Sequence, residues 1–126
     1  MYQNALATYQ AVERETLSGR ETEARVLTEG ARKLQDCQNN WAREDNESKL
    51  TDALKYNQKI WSIFQTELTR EDNPLPVQLR KDLLRLSLFV DKRIFETMAS
   101  PSPEKLNAVI NINRNIAAGL RESPTA

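Results

Sequence analysis

Residues 106–120 read LNAVININRNIAAGL, and whether this stretch is a strand or a helix decides the fold. Its middle, Ile110-Asn111-Ile112-Asn113, alternates apolar and polar residues as a half-buried strand does. The alternation lasts only about five or six residues, and it fails at Val109-Ile110 and again at Ala117-Ala118. At about 100° per residue, Leu106, Val109, Ile110, Ile116, Ala117 and Leu120 instead fall on one arc. Just upstream, Ser102 stands where an N-cap would, and Pro103 stands at the first helical position, where its missing N–H costs nothing. The stretch is therefore a helix. Asn107, Asn111 and Asn115 recur at four-residue steps on the face opposite the core, with Arg114 beside them, and Asn113 stands inside the apolar arc. Asparagine competes for backbone hydrogen bonds and is a poor helix former. The ladder reads either as drift on an exposed face or as a surface whose amides, each with two donors and an acceptor, bond to another chain.

Working back along the chain, Ser100-Pro101-Ser102-Pro103 and Asp72-Asn73-Pro74-Leu75-Pro76 are two breaks, because proline lacks an N–H and pushes its predecessor toward extended backbone. Between them the spacing predicts a helix over 77–99 with two apolar stripes. Leu79, Leu83, Leu86, Val90 and Ile94 form one, broadened by Phe89, and Leu84, Leu88 and Phe95 form a second on nearly the opposite side. A helix apolar on two sides is either sandwiched at the centre of its own bundle or offers one face to a partner. Upstream, Leu50, Ala53, Leu54, Ile60, Trp61, Phe64 and Leu68 share an arc of roughly 120° and make a core helix over about 48–70. Asn57 falls within that arc, as Asn113 does in the last helix. An unpaired buried amide costs about 1–3 kcal/mol, so each needs a partner or an interface.

Toward the N-terminus, Tyr2, Ala5, Leu6, Tyr9, Val12 and Thr16 recur at helical intervals, giving a helix over 2–17. Ser18-Gly19 is expected to end it, with Ser18 and Glu21 spaced as a capping box for the next helix. That helix, 19–38, carries Ala24, Leu27, Ala31, Leu34 and Cys37 or Gln38 at heptad-like spacing, and Gly30 is either a weak point or a place of close packing. In the polar segment that follows, Trp41 is the residue placed to pack back. The expectation is thus an all-α, single-domain bundle of about five helices, at about 2–17, 19–38, 48–70, 77–99 and 103–121, with 122–126 as a frayed tail.

A chain of 126 residues can bury roughly two-thirds of its unfolded surface, enough for a core. Its 18 basic and 18 acidic residues cancel, which gives direct nucleic-acid contact no support. No apolar run approaches the roughly 18 residues that cross a bilayer, and the N-terminus lacks a signal pattern, so the expected location is the cytoplasm. With no histidine and a single cysteine, Cys37, the sequence has no Ser-His or Cys-His machinery and no metal-ligand spacing. Glycines at 19, 30 and 119 are too scattered for a phosphate loop. The carboxylates, for example Glu13, Glu15, Glu21 and Glu23, interleave with Lys and Arg as a solvated face does. The expectation is a protein that is not an enzyme and holds no cofactor.

Taken in order, MYQNAL at the N-terminus, LSGRETEA at 17–24, NQKIWSIFQ at 57–65, EDNPLP at 71–76, LFVDKRIFE at 88–96 and ININRNIAAGLR at 110–121 resemble the bacterial FlaF family of flagellar biosynthesis regulators. That resemblance implies a cytoplasmic role in the production and export of flagellin, alongside the translational regulator FlbT. It brings no residue roles with it. From the helix projections, the candidate partner-binding residues are Leu84, Leu88 and Phe95 on the second stripe and Asn107, Asn111 and Asn115 on the ladder. The leading expectation is a factor that binds unpolymerised flagellin and shields its terminal helices. The alternative is post-transcriptional control of flagellin synthesis through FlbT or the flagellin mRNA.

Overall fold

A computed structural model describes the backbone of residues 2–122 and the side chains of residues 19–122. Helix α1 (Tyr2–Asn39) is followed by α2 (Asn46–Leu68), α3 (Val77–Ala99), a 3-10 turn (Pro103–Leu106) and α4 (Asn107–Glu122). Among the described residues there is no strand, and LNAVININRNIAAGL forms the last residue of the 3-10 turn and most of α4. The expected count of five helices is corrected to four, because α1 runs unbroken through Ser18-Gly19. Gly19 has no left-handed backbone angle, and a glycine inside a helix costs only about 1 kcal/mol relative to alanine, too little to end it. Glu21, assigned to a capping box, instead faces Arg25 at 3.4 Å and Arg121 at 3.8 Å, tying α1 to the end of α4. The Ser18 side chain and the stripe from Tyr2 to Thr16 lie outside the described side chains. Of the expected tail, Glu122 belongs to α4 and the rest lies outside the described residues.

The core is built where α1, α2 and α4 meet, and α3 packs on α2 from one side, touching the 3-10 turn as well. The heptad positions of α1, Ala24, Leu27, Ala31, Leu34 and Cys37, are all buried. Two alanines in that row let α4 come close, so the α1–α4 contact is the most extensive in the molecule. The α2 arc is buried as well, with Phe64 half-buried and set edge-on to Trp61 at 5.7 Å. Trp41 packs back on the core from the α1–α2 connection, half-buried.

Both core asparagines are fully bonded, and Gly30 is the reason they fit. Asn57 Nδ2 donates to the Gly30 carbonyl at 3.1 Å and to the Ala53 carbonyl at 2.8 Å. Asn113 Nδ2 donates to Asn57 Oδ1 at 2.7 Å and to the Leu27 carbonyl at 3.2 Å. Trp61 Nε1 donates to Asn113 Oδ1 at 3.0 Å. A Cβ on residue 30 would collide with Asn57 Oδ1 and lie 2.9 Å from Asn113 Nδ2. Gly30 is therefore a close-packing site, and the three helices share one buried amide junction there. The entry to α4 departs slightly from expectation. Ser102 sits at the N-cap and Pro103 follows it, but the Ser102 hydroxyl makes no capping bond, and a 3-10 turn precedes the α-helix.

Candidate partner-binding surface

The turn before α3 is shaped by its own side chains. Asn73 Nδ2 donates to the Glu67 carbonyl at 2.9 Å, and its Oδ1 accepts from the Leu75 N–H at 3.0 Å, which closes the reversal at the two prolines. Helix α3 then lies on α2 through Ser87, Val90, Ile94 and Thr97, all buried. Ser87 and Thr97 are small, and their hydroxyls bond back to the Leu84 and Arg93 carbonyls, so they add no unpaired polar group to the contact. Gln65 Nε2 donates to Asp91 Oδ2 at 2.7 Å along the same seam.

Helix α3 is not sandwiched at the centre of the bundle. The helix is an edge element, and its first stripe is only partly core: Val90 and Ile94 are buried, Leu83 and Leu86 are half-buried, and Leu79 is 44 % exposed. Leu79 and Phe89, which lengthen and broaden that stripe in the sequence, therefore lie at the surface. The second stripe faces outward. Leu88 is 63 % and Phe95 74 % exposed, Leu84 is half-buried, and Val77 and Met98 extend the row to both ends of the helix. At about 1.5 Å per residue the row is about 30 Å long.

The amide ladder lies elsewhere. Asn107, Asn111 and Asn115 are exposed on α4, as expected. Asn107 is used within the chain, its Oδ1 accepting from Gln38 Nε2 at 2.7 Å, while that nitrogen also donates to the Pro103 carbonyl at 2.9 Å. Helix α4 packs on α1 and α3 packs on α2, so the structure does not join the ladder and the stripe into one surface.

The cleft beneath the start of α3 was not visible in the sequence. It has a volume of about 420 Å³, and its apolar wall includes Trp61, Phe64, Leu68, Leu83, Ile116 and Leu120. Arg20, Glu23, Glu67 and Asn73 also line it. Burial, and then the nearby Glu67 carboxylate, hold the Glu23 carboxyl above its ordinary range, against the pull of Arg20. No local periodicity could have revealed this cleft, because its walls come from all four helices and the α2–α3 turn. Among the described residues, no group of three or more His, Cys, Asp or Glu side chains could hold a metal ion. Cys37 is buried, and burial pushes its thiol above its ordinary value. The described surface thus offers an apolar ridge on α3 and an apolar cleft beneath its start.

The model of the family described as flagellar protein FlaF matches residues 5–120. The chain belongs to the FlaF family. The match takes in all four helices, including the α3 ridge and the Gly30 junction, and gives the chain a flagellar role. No curated relative and no solved structure matches it. Among the described residues, no helix is long and apolar enough to cross a membrane.

Proposed function

We propose that this FlaF-family chain is a non-enzymatic, cytoplasmic flagellin-binding factor that promotes flagellin production and export. In this reading, the outer ridge of α3 covers the amphipathic terminal helices of unpolymerised flagellin. Terminal segments that order only on assembly expose apolar faces beforehand, and a partner helix surface is the usual means of covering such faces. The observation that supports this reading most is the row Val77, Leu84, Leu88, Phe95 and Met98. Scattered surface leucines need no explanation, but an apolar row along a whole helix, interrupted only at Lys81 and Asp91, is the kind of feature that interaction sites carry. The test is co-purification of flagellin with the tagged chain and with a Leu88→Asp, Phe95→Asp variant. The variant is expected to lose flagellin while melting at the same temperature as the parent. Undiminished retention would overturn the proposal. Retention of the translational regulator or of RNA in place of flagellin would move the role to control of synthesis, and a steep salt dependence would mark the RNA case.

A further inference from the structure

The outer face of α3 carries a second pattern, and it bears on the chemistry of what binds there. Positions 77, 81, 84, 88, 91, 95 and 98 advance by alternate steps of four and three, which is the seam of a coiled coil, and five of the seven are apolar. Such a row accepts one other helix lying nearly parallel to it, at a crossing angle of about 20°. Of the two seam positions that are not apolar, one is Lys81 and the other Asp91, and one edge of the seam is basic. Lys81 lies within the seam, and Arg85 and Lys92 flank it along that edge, each three or four residues from a ridge leucine or phenylalanine. All three are exposed, and no acidic side chain among the described residues pairs with them. Four of the other charges of α3 are engaged: Arg80 donates to the Arg70 carbonyl, Arg93 lies over the Phe89 ring, Asp82 accepts from Gln78, and Asp91 is held by Gln65; the fifth, Glu96, is half-buried one turn beyond Lys92.

We infer that the α3 ridge docks an amphipathic helix of a partner protein whose heptad apolar stripe is bordered by aspartate or glutamate, which meet Lys81, Arg85 and Lys92. The inference rests on the proposal that this ridge is the binding surface, and it specifies the partner's charge. A second copy of the chain fits poorly. A parallel pair sets Lys81 against Lys81 and Asp91 against Asp91; an antiparallel pair can set Lys81 against Asp91, but Asp91 is already held by Gln65, and Arg85 then meets Arg85 at the edge. An anionic membrane fits poorly too. Three cations in a single row give weak attraction to lipid, and Asp91, Asp82 and Glu96 lie on the same helix.

The test uses the full chain and two synthetic heptad-repeat helices with leucine at the seam, one flanked by glutamate and its twin by lysine. The glutamate peptide is expected to bind about tenfold tighter at low salt, in line with three exposed charge pairs. The gap should close at about 1 M salt, where the screening length falls to about 3 Å. The variant Lys81→Glu, Arg85→Glu, Lys92→Glu should reverse the preference without changing the melting temperature. Equal binding of the two peptides, an unchanged preference in the variant, stronger binding to phosphatidylserine vesicles than to either peptide, or a Leu88-dependent dimer would each overturn the inference. Failure of flagellin to co-purify, with the peptide preference intact, would sink the flagellin assignment alone. Loss of flagellin in Leu88→Asp but not in the charge-reversed variant would sink only the charge requirement.

Discussion

The amide junction around Gly30 and the outer face of α3 both break the rule that polar residues face water and apolar residues face the core, and they break it in opposite directions. At the junction, two asparagines are buried, and every amide N–H they carry finds an acceptor in the chain. On α3, leucine and phenylalanine side chains stand in water with nothing among the described residues to cover them. The first exception is resolved within the molecule, so it serves the fold. The second is left open among the described residues, and in the function proposed above another molecule covers it. Burial decides which substitutions should hurt stability and which should hurt only binding.

The contrast breaks if the junction proves soft. Gly30→Val places atoms where the two amides lie, combining overpacking with broken buried hydrogen bonds, and should cost about 4 kcal/mol or more in urea unfolding. Asn113→Ala leaves Trp61 Nε1 and Asn57 Oδ1 without their partner and opens a small void. It should cost about 2–4 kcal/mol, with a changed near-UV spectrum from Trp61. A loss below about 1 kcal/mol for both would show that the junction does not organise the core.

A smaller effect is expected at the rim of the cleft. Because the folded chain holds the Glu23 carboxyl above its ordinary value of 4.5, the fold binds that proton more tightly than the unfolded chain does. Stability is therefore lost as pH rises from about that value through the raised one, and Glu23→Gln should remove the loss. The variant should melt higher than the parent at neutral pH, with the advantage vanishing in acid. No advantage at neutral pH would mean that the carboxylate is well solvated there. The smallest effect on stability belongs to the ridge. Leu88→Asp and Phe95→Asp should each change unfolding free energy by no more than about 0.5 kcal/mol, the range of ordinary surface substitutions. A large loss at either would place the ridge in the core and remove the contrast with the junction.

Patterns confined to one helix were legible in the sequence, and relations between helices were not. The buried row of α1, the α2 arc and the bounds of α3 follow from spacing alone, as does the placing of Asn57 and Asn113 among apolar neighbours. That the two asparagines bond to each other, and do so over a glycine, depends on how α1, α2 and α4 are set together. The break expected at Ser18-Gly19 failed because a weak local signal was set against continued helical bonding on both sides. Leu79 continues the regular first stripe, yet it lies exposed at its end of α3, which spacing within one helix does not reveal. Of the candidate site, the exposure of Leu88 and Phe95 was foreseen as one of two options. The use of Asn107 by Gln38, and the cleft itself, required the assembled fold.

The fit at Gly30 also bears on the entropy of binding. Helices held together by leucine and alanine alone can slide by a turn, about 5.4 Å, into contacts of similar quality. Here such a slide would leave three amide N–H groups and an indole N–H without acceptors, so only one register is bonded. The frame to which α3 is clamped is therefore set before any partner arrives. In the proposed docking, ordering on association would be confined to a few ridge side chains and to the incoming helix, which would keep the entropic cost on this side of the interface small.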